Sequence, residues 1–385
     1  MANRSRSEQQ RSGRAKGDDR RRERDRAVRY GVVGLGWFAQ TAVLPAFEHA
    51  RRNSRLVALL STDGDKLDEL GRRYEVELTA DTDELESVVS EARLDALYVA
   101  VPNDHHREFV ERAAAAGVHV LCEKPMAVTV RDCEAMIEAT EEANVRLMIA
   151  YRLHFEEANM RAMEVVRSGK IGEPRFFVSS FSNRVDEPDN IRLGPLSEGG
   201  GTLYDIGIYC INAARYLFRD EPVEVTALAS MGNGRFADCD EMTSAILRFS
   251  DDRLATFTTS FAAADHDYYQ VFGTEGNLLV RPAFGSHDGV GHILEIGDNT
   301  RMEHFQCRDQ VAAELLHFSD AILEGRAPEP SGDEGLADVT IIEALLESAS
   351  SGRSVEVKPR LLSASTARRD RRGHPSSRSV PVRAR

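Results

Sequence analysis

A lysine at the end of a short apolar run is the first residue of this sequence that could do chemistry. The run 118–121 is followed by Cys122 and then directly by Glu123, Lys124 and Pro125. In an open α/β sheet the carboxyl ends of the strands border the ligand crevice, so a strand that ends here would point Lys124 at the ligand. Pro125 keeps the lysine backbone out of helical geometry. An ammonium group held there can stabilise an oxyanion; the alternative is a surface lysine before an ordinary turn.

A glycine-rich stretch in the second half carries the next candidate chemistry. Residues 199–209 read GGGTLYDIGIY, and Asp205 and Tyr209 are four residues apart, hence on one helix face. A phenol with a pKa of about 10 is a poor base at neutral pH, but a neighbouring ammonium favours the phenolate. We therefore expect Tyr209 to exchange a proton with a substrate if Lys124 lies beside it. The alternative is that Tyr204 and Tyr209 are ordinary residues of an amphipathic helix.

A glycine turn near the start of the chain is typical of dinucleotide sites. It follows the apolar run 30–33, precedes a helical pattern, and reads G-x-G-x-x-A. Its residues are Gly34, Leu35, Gly36, Trp37, Phe38 and Ala39. The first glycine permits the tight turn, the second lets backbone approach a pyrophosphate, and the alanine allows close helix packing. The N–H groups of the helix start would then face the phosphates.

The end of the second predicted strand, 56–60, bears on the choice between NAD and NADP. A site that prefers NAD places Asp or Glu here, because a carboxylate binds the ribose 2′-hydroxyl and repels a 2′-phosphate. This chain has Ser61 and Thr62, with Lys66 nearby, which favours NADP. Asp63 follows closely, so a site that also accepts NAD remains an alternative.

Apolar runs and helical patterns alternate through the first half, which is typical of a parallel sheet. Runs at 96–101 and 147–150 complete the series, with helical patterns at 107–116 and 130–143. Six residues that follow the ends of these runs are predicted to line the cofactor crevice. They are Pro102, Asn103, His106, Glu123, Lys124 and Arg152. His105 and His106 could ligate a metal, but no clustered partner is visible, so we predict no metal site and a structural role for His105.

The second half changes to a period of two, which predicts an antiparallel sheet. The predicted strands are 176–182, 223–229, 243–249 and 254–261, with turns at 250–253 and 273–276. Segments 302–323 and 335–350 have helical spacing. An open apolar sheet face is a natural surface for oligomer formation.

The predicted fold class is therefore an α/β Rossmann domain with a parallel sheet, followed by an α+β domain with a large, mainly antiparallel, open-faced sheet. We place the NADP-binding domain at 29–151 and the substrate-binding and oligomerisation domain at 152–358. The ends, 1–28 and 359–385, are expected to be disordered basic tails.

The charge of the chain excludes several classes of partner. Of 49 Lys/Arg and 63 Asp/Glu, the two ends hold 18 and six, which leaves 31 basic and 57 acidic residues and a net charge of −26 between them. Such a surface repels nucleic acid and anionic lipid. No apolar run approaches the roughly 20 residues of a membrane helix, and residues 1–28 lack the apolar segment of a signal peptide. We expect a cytoplasmic protein whose five scattered cysteines are reduced and buried.

An acidic surface with only five lysines in the whole chain suggests a salt-loving host. Salt screens self-repulsion, which would otherwise destabilise the compact state. We expect activity and melting temperature to rise with KCl; values that stay flat or fall would remove this hypothesis.

Several of these motifs together resemble the Gfo/Idh/MocA oxidoreductases, and most of all the glucose-fructose oxidoreductase branch. The likeness spans about residues 29 to 358. It rests on the glycine turn, Pro102-Asn103-x-x-His106, Cys122-Glu123-Lys124-Pro125, Tyr151-Arg152-x-His154, and the GGG-x-x-x-D-I-G-x-Y stretch that ends at Tyr209.

The resemblance implies roles for the residues that match. Lys124, commonly before a cis proline, would contact nicotinamide and substrate, Tyr209 would be the catalytic acid/base, and Asp205 would position the substrate. Ser61 and Lys66 fall where that branch holds the 2′-phosphate of NADP. The family also implies homodimers or homotetramers joined through the open sheet face.

The expected reaction is reversible hydride transfer between NADP and C1 of an aldose, with D-xylose and D-glucose both reasonable. Two alternatives stay open. The chain could act on another polyol, a dihydrodiol or an imine, or it could be a sugar sensor that binds dinucleotide without turnover. The joint presence of Lys124, Asp205 and Tyr209 argues against the sensor.

Overall fold

The computed structural model describes residues 27–232, 234–285 and 289–358. They form two sheets, one of six strands and one of nine. Most of the two ends predicted to be disordered lies outside the described residues. Val28 is the exception, since it is buried and begins the first strand.

The first sheet is parallel and has the strand order β3-β2-β1-β4-β5-β6. Its strands are β1 Val28–Val33, β2 Ser54–Leu60, β3 Leu78–Ala80, β4 Ala96–Val99, β5 His119–Glu123 and β6 Leu147–Ala150. Its helices are α1 Leu44–His49, α2 Gly64–Arg73, α3 Leu85–Glu91, α4 His106–Ala115 and α5 Val130–Glu142. Strands β4 and β6 are buried at every position, as expected for strands with both faces covered.

Strand register brings the predicted crevice residues to one edge of this sheet. Val33 pairs with Leu60 on one side and Val99 on the other, and Val99 pairs with Cys122. The segments that follow β1, β2, β4, β5 and β6 therefore leave the sheet at the same edge, where ligands bind in open α/β sheets.

The second sheet has the order β14-β13-β12-β11-β7-β10-β9-β8-β15, and only the β7–β10 pair is parallel. Its strands are β7 Pro174–Ser182, β8 Pro222–Met231, β9 Asp240–Phe249, β10 Leu254–Ser260, β11 His266–Gly273, β12 Gly276–Arg281, β13 Val290–Ile296, β14 Asn299–Phe305 and β15 Val355–Glu356. Four helices follow the first domain: α6 Glu157–Arg167, α7 Ile208–Phe218, α8 Gln310–Glu324 and α9 Gly332–Ser351.

One face of the second sheet is open. Along β9 buried and exposed residues alternate, with Leu247 buried and Met242 and Ile246 exposed. Leu228 and Leu254 are exposed as well. The predicted open apolar face is therefore present.

The two late helices bind the domains to each other. On α8, Leu315 and Phe318 pack in the core beneath the first sheet, where Ser319 Oγ lies 2.8 Å from the Tyr30 hydroxyl. Helix α9 packs against both β8 and α5. The second half of the chain thus packs back on the first domain through these two helices.

The structure corrects two predictions from the pattern. Residues 302–305 belong to strand β14 and not to a helix, because Met302 and Glu303 pair with Ile293 and His292 across the edge of the sheet. Strand β3 was not predicted, since three residues are too few to show a period. The cysteines are all free thiols, four of them buried and Cys307 half-buried.

Two absences apply to the described residues. None of the helices there has the length and apolar character to cross a membrane. Within the same residues, no group of three or more His, Cys, Asp or Glu side chains is arranged to hold a metal ion.

Candidate active site

The glycine turn after β1 has the shape that a pyrophosphate requires. Gly34 has φ +91°, and a Cβ there would lie 2.4 Å from the Ala100 carbonyl oxygen, so only glycine fits. A Cβ on Gly36 would meet no atom within 4 Å, which leaves open space above the backbone. Ala39 is buried, Phe38 is half-buried, and Trp37 is 66% exposed beside the opening. The turn thus fits a dinucleotide, whose phosphates would lie over Gly36.

The residues predicted to select NADP lie together at the end of β2. The Ser61 hydroxyl accepts a hydrogen bond of 3.1 Å from the Asp63 N–H. Asp63 caps the N-terminus of α2, and its carboxylate lies 2.8 Å from Lys66 Nζ. The hydrogen bond to Lys66 lowers the pKa of Asp63. Lys66 and Asp63 are both partly exposed, so the lysine can exchange this partner for a phosphate at little cost.

His106 supports the crevice from behind. It was predicted to line the crevice, but the ring is 0% exposed. Its Nδ1 lies 2.9 Å from the Pro125 carbonyl oxygen, and its Nε2 lies 3.0 Å from that of Val101. Burial lowers the pKa of the ring, although these bonds oppose the shift. His106 thereby ties the loop after β4 to the turn that carries Lys124.

Asn103 joins the two domains at the crevice, next to Pro102 at the end of β4. Its side-chain amide donates a hydrogen bond of 2.9 Å to the Gly199 carbonyl. Gly199 has φ +82°, and a Cβ there would lie 2.8 Å from the Asn103 Cβ. The first glycine of the GGG stretch is therefore required both by its backbone angle and by the close approach of Asn103.

Glu123 is held beneath the site by a tyrosine. The Tyr98 hydroxyl donates a hydrogen bond of 2.6 Å to the Glu123 carboxylate. Burial raises the pKa of Glu123, and this bond and the Lys124 charge oppose the rise. Glu314 of α8 is fully buried nearby, and burial together with Glu123 raises its pKa well above the usual range.

Lys124 and Asp205 form an ion pair across the crevice, and the Lys124–Pro125 peptide bond is cis. The lysine Nζ lies 3.3 Å from the Asp205 carboxylate and donates a 2.8 Å hydrogen bond to the Asp205 carbonyl. Burial lowers the pKa of Lys124, but Tyr209, Asp205 and Glu123 outweigh it and the pKa rises. Burial likewise raises the pKa of Asp205, and Lys124 and Arg192 bring it below its usual value. Both groups are charged at neutral pH.

Tyr209 lies beside this pair, as the sequence predicts. Its ring centroid is 4.9 Å from Lys124 Nζ and 5.2 Å from the Arg152 guanidinium carbon. Aromatic contacts with Phe181 and Phe284 fix the plane of the ring. The Tyr209 hydroxyl makes no hydrogen bond to another described residue and is free to meet a substrate.

Arg152 has a supporting position in this structure. It was predicted to bind cofactor, and its guanidinium donates to the Gln310 side chain at 2.6 Å and to the Phe284 carbonyl at 2.5 Å. The remaining face packs on Tyr209. Arg152 thus connects α8 and the loop after β12 to Tyr209.

Sequence reasoning missed Arg192. Its Nε lies 2.7 Å from the outer oxygen of Asp205, opposite to Lys124, so the carboxylate is held between two cations. Arg192 belongs to an irregular loop without a periodic pattern. The sequence around Arg192 contains no pattern that would have marked it as a site residue.

A cavity extends from Lys124 and Tyr209 along α7. Its walls are mostly aromatic and apolar side chains of α6, α7 and the turn after β6. They include Tyr151, Met163, Ile208 and Tyr216. A few polar groups at one end of an apolar pocket are typical of small-molecule sites.

A buried charge network fixes α7 beneath the site. Arg215 is 4% exposed and binds Asp338 at 2.6 Å, Glu221 at 2.6 Å and Glu334 at 3.2 Å. Asn212 donates to the other Asp338 oxygen at 2.8 Å. Burial raises the pKa of Asp338 to about 6 even beside Arg215.

Comparisons with known proteins agree with this geometry. Residues 28–151 match the oxidoreductase family with an NAD-binding Rossmann fold, and residues 159–279 match the GFO/IDH/MocA C-terminal domain. A D-xylose 1-dehydrogenase [NADP(+)] of Haloarcula marismortui is 32% identical over 339 residues, which cover 86% of this chain and 94% of that protein. D-xylose 1-dehydrogenase (NADP(+)) 2 of Haloferax volcanii is 30% identical over 85% of this chain and 99% of that protein.

Solved structures show the same fold. The aldose-aldose oxidoreductase from Caulobacter crescentus, complexed with glycerol, is 37% identical with a TM-score of 0.82, over 86% of this chain and 99% of that one. KijD10, a 3-ketoreductase from Actinomadura kijaniata in complex with NADP and TDP-benzene, is 26% identical with a TM-score of 0.76, over 84% of this chain and 98% of that one. The chain belongs to the Gfo/Idh/MocA family of oxidoreductases.

Proposed function

We propose that this protein is an NADP-dependent sugar oxidoreductase that transfers a hydride reversibly between the cofactor and C1 of an aldose. The observation that carries the proposal is the meeting of Lys124, Asp205 and Tyr209 at the sheet edge, with the Tyr209 ring 4.9 Å from Lys124 Nζ. A base and a cation aimed at the same point are what the oxidation of a hydroxyl group to a carbonyl requires.

Each of the three side chains has its own role in the reaction. The nicotinamide of NADP, when bound, supplies the hydride acceptor. Tyr209 takes the proton from the C1 hydroxyl, and Lys124 stabilises the oxygen as negative charge develops on it. Asp205, ionised between Lys124 and Arg192, accepts hydrogen bonds from neighbouring sugar hydroxyls and fixes the ring orientation. In the reverse direction Tyr209 returns the proton.

The described residues support an aldose as the substrate class. D-xylose is named for the two halophilic relatives, and aldoses are named for the Caulobacter crescentus enzyme. A sugar hydroxyl is both donor and acceptor, so Asp205 and the Lys124 ammonium can bind adjacent hydroxyls at once. D-xylose and D-glucose are the first candidates.

The proposed preference for NADP over NAD can be tested directly by a substitution at Ser61. In the variant Ser61→Asp, a carboxylate would face the 2′-phosphate, and we expect the KM for NADP to rise about 10- to 100-fold while that for NAD changes little. Steady-state kinetics with both cofactors measures this. Ser87→Asp, which adds the same charge on an exposed helix position of the same domain, is the matched control. Equal effects of the two variants would place the 2′-phosphate elsewhere.

The proposal also includes an oligomeric state and a cellular compartment. The exposed residues of the open sheet face, such as Leu228, Met242 and Ile246, support a homodimer or homotetramer joined through this face. Five cysteines that are all free thiols support a reducing, cytoplasmic setting.

The deciding experiment is mass spectrometry of the cofactor that survives purification, followed by assays of NADP reduction with aldoses. We expect NADP to be bound and D-xylose or D-glucose to be oxidised. Polyols, dihydrodiols and imines in the same panel identify the rival substrates. Cofactor binding without turnover of any compound would favour a sugar sensor and overturn the enzyme assignment.

A further inference from the structure

A second cavity lies between α6 and strands β12–β14, near the β14 end of the large sheet. Its polar lining consists of three cations, one acid and one histidine. These are Arg161, Lys170, Arg301, Glu303 and His292, and the remaining walls are aliphatic.

Helix α6 separates this cavity from the one beside Tyr209. Asn159 and Met163 line the first cavity, whereas Arg161 and Val165 line the second. Positions two residues apart on an α-helix differ by about 200° in direction, so the two pairs occupy opposite faces. The second cavity is thus a separate site and does not depend on the proposed function.

The cavity carries an excess of positive charge in an acidic chain. Glu303 contacts Arg301 and lies 4.0 Å from Arg161 Nε. A second Arg161 nitrogen, Nη1, is 2.9 Å from the Glu164 carboxylate. Lys170 is exposed at the rim and makes no ion pair with any residue in the described ranges. One acid in the lining faces three cations, which favours an anionic ligand.

His292 is the feature that the fold leaves unexplained. The residue is 3% exposed, its ring hydrogen-bonds to the Ala158 carbonyl, and its Nε2 is buried without a partner among the described residues. Burial lowers the pKa of the ring to about 4, so at neutral pH one nitrogen carries a hydrogen and the other does not. A ring that donates to Ala158 therefore presents Nε2 as an acceptor. An unpaired buried acceptor is costly and is usually matched by a donor.

We propose that this cavity binds inorganic hydrogen phosphate, with Arg161, Lys170 and Arg301 binding its charged oxygens and its one P–OH group donating to His292 Nε2. Sulfate has the same size and charge but no hydroxyl. A phosphate monoester is mostly a dianion above its second pKa of about 6 and then has no hydroxyl either. The histidine acceptor would therefore distinguish free phosphate from both.

Calorimetric titration of the full-length protein at pH 7.5 tests this proposal. Saturating NADP keeps the cofactor site occupied, and chloride holds the ionic strength constant. The probes are inorganic phosphate, sulfate and methyl phosphate, whose methyl group adds no hydroxyl donor. We expect phosphate to bind at least about tenfold more tightly than either of the other two, because only phosphate pairs the buried acceptor.

Three variants separate the contributions. His292→Phe should remove the preference for phosphate over sulfate, and Lys170→Ala, at an exposed position that folding does not require, should weaken both anions. Arg353→Ala removes a cation beside β15, at the opposite end of the sheet, and should change neither. Equal affinity for phosphate and sulfate, or phosphate binding that Lys170→Ala leaves intact, would overturn the proposal.

Discussion

Tyr209→Phe is expected to lower kcat with an aldose by about 10²- to 10⁴-fold, the range that a positioned general acid or base contributes. The ring would keep its contacts with Lys124, Arg152 and Phe284, so the pocket shape is retained and only the hydroxyl is lost. Binding of NADP, measured by fluorescence titration, should stay within about a factor of two, since the proposed mechanism places the hydroxyl against the sugar and not against the cofactor phosphates.

Tyr204→Phe is the matched control for this variant. Tyr204 lies in the same stretch, but its hydroxyl donates to the Val128 carbonyl at 2.8 Å and is buried away from the cavity. We expect it to lose about 1 kcal/mol of stability and little activity. If kcat of Tyr209→Phe equals that of the wild type, the acid/base role of Tyr209 is wrong.

Arg215→Met is expected to lower the free energy of unfolding by about 3–5 kcal/mol. Methionine fills a similar volume, but Asp338 and Glu334 would remain buried without their cation. Helix α7 carries both Arg215 and Tyr209, so loosening it should also reduce activity below the melting temperature. Urea denaturation followed by circular dichroism measures the stability change.

Arg55→Met provides the comparison. Arg55 forms an ion pair with Glu77 on the surface of the first domain, where the Arg55 side chain is 61% exposed. Solvent screens such a pair, and we expect a loss of about 1 kcal/mol or less. Similar losses for the two variants would show that the buried network contributes no more than a surface pair.

Residues at element ends could be predicted from the sequence because their signals are local. Lys124 follows an apolar strand and precedes a proline, and Asp205 and Tyr209 are spaced by one helical turn. Their meeting across the crevice follows from the family resemblance together with the rule that strand ends face ligands. The structure places Lys124 against both.

Other parts of the site depend on contacts between distant residues, which leave no local pattern. Arg192 reaches Asp205 from an irregular loop, and Gln310 pairs with Arg152 over 158 residues of chain. Strand β14 has charged side chains along an edge and lacks the apolar alternation that marks a half-buried strand. Only the hydrogen bonds to β13 define it.

The Lys124 ammonium belongs to the first domain, and the Asp205 carbonyl that accepts its hydrogen bond belongs to the second. Neither half alone contains a complete reaction centre. Separately produced halves would therefore be catalytically inert however well each one folds. Under the proposed mechanism, a separation of the two halves by a few ångströms would part Lys124 from Asp205 and Tyr209 and stop the reaction while each half stays folded.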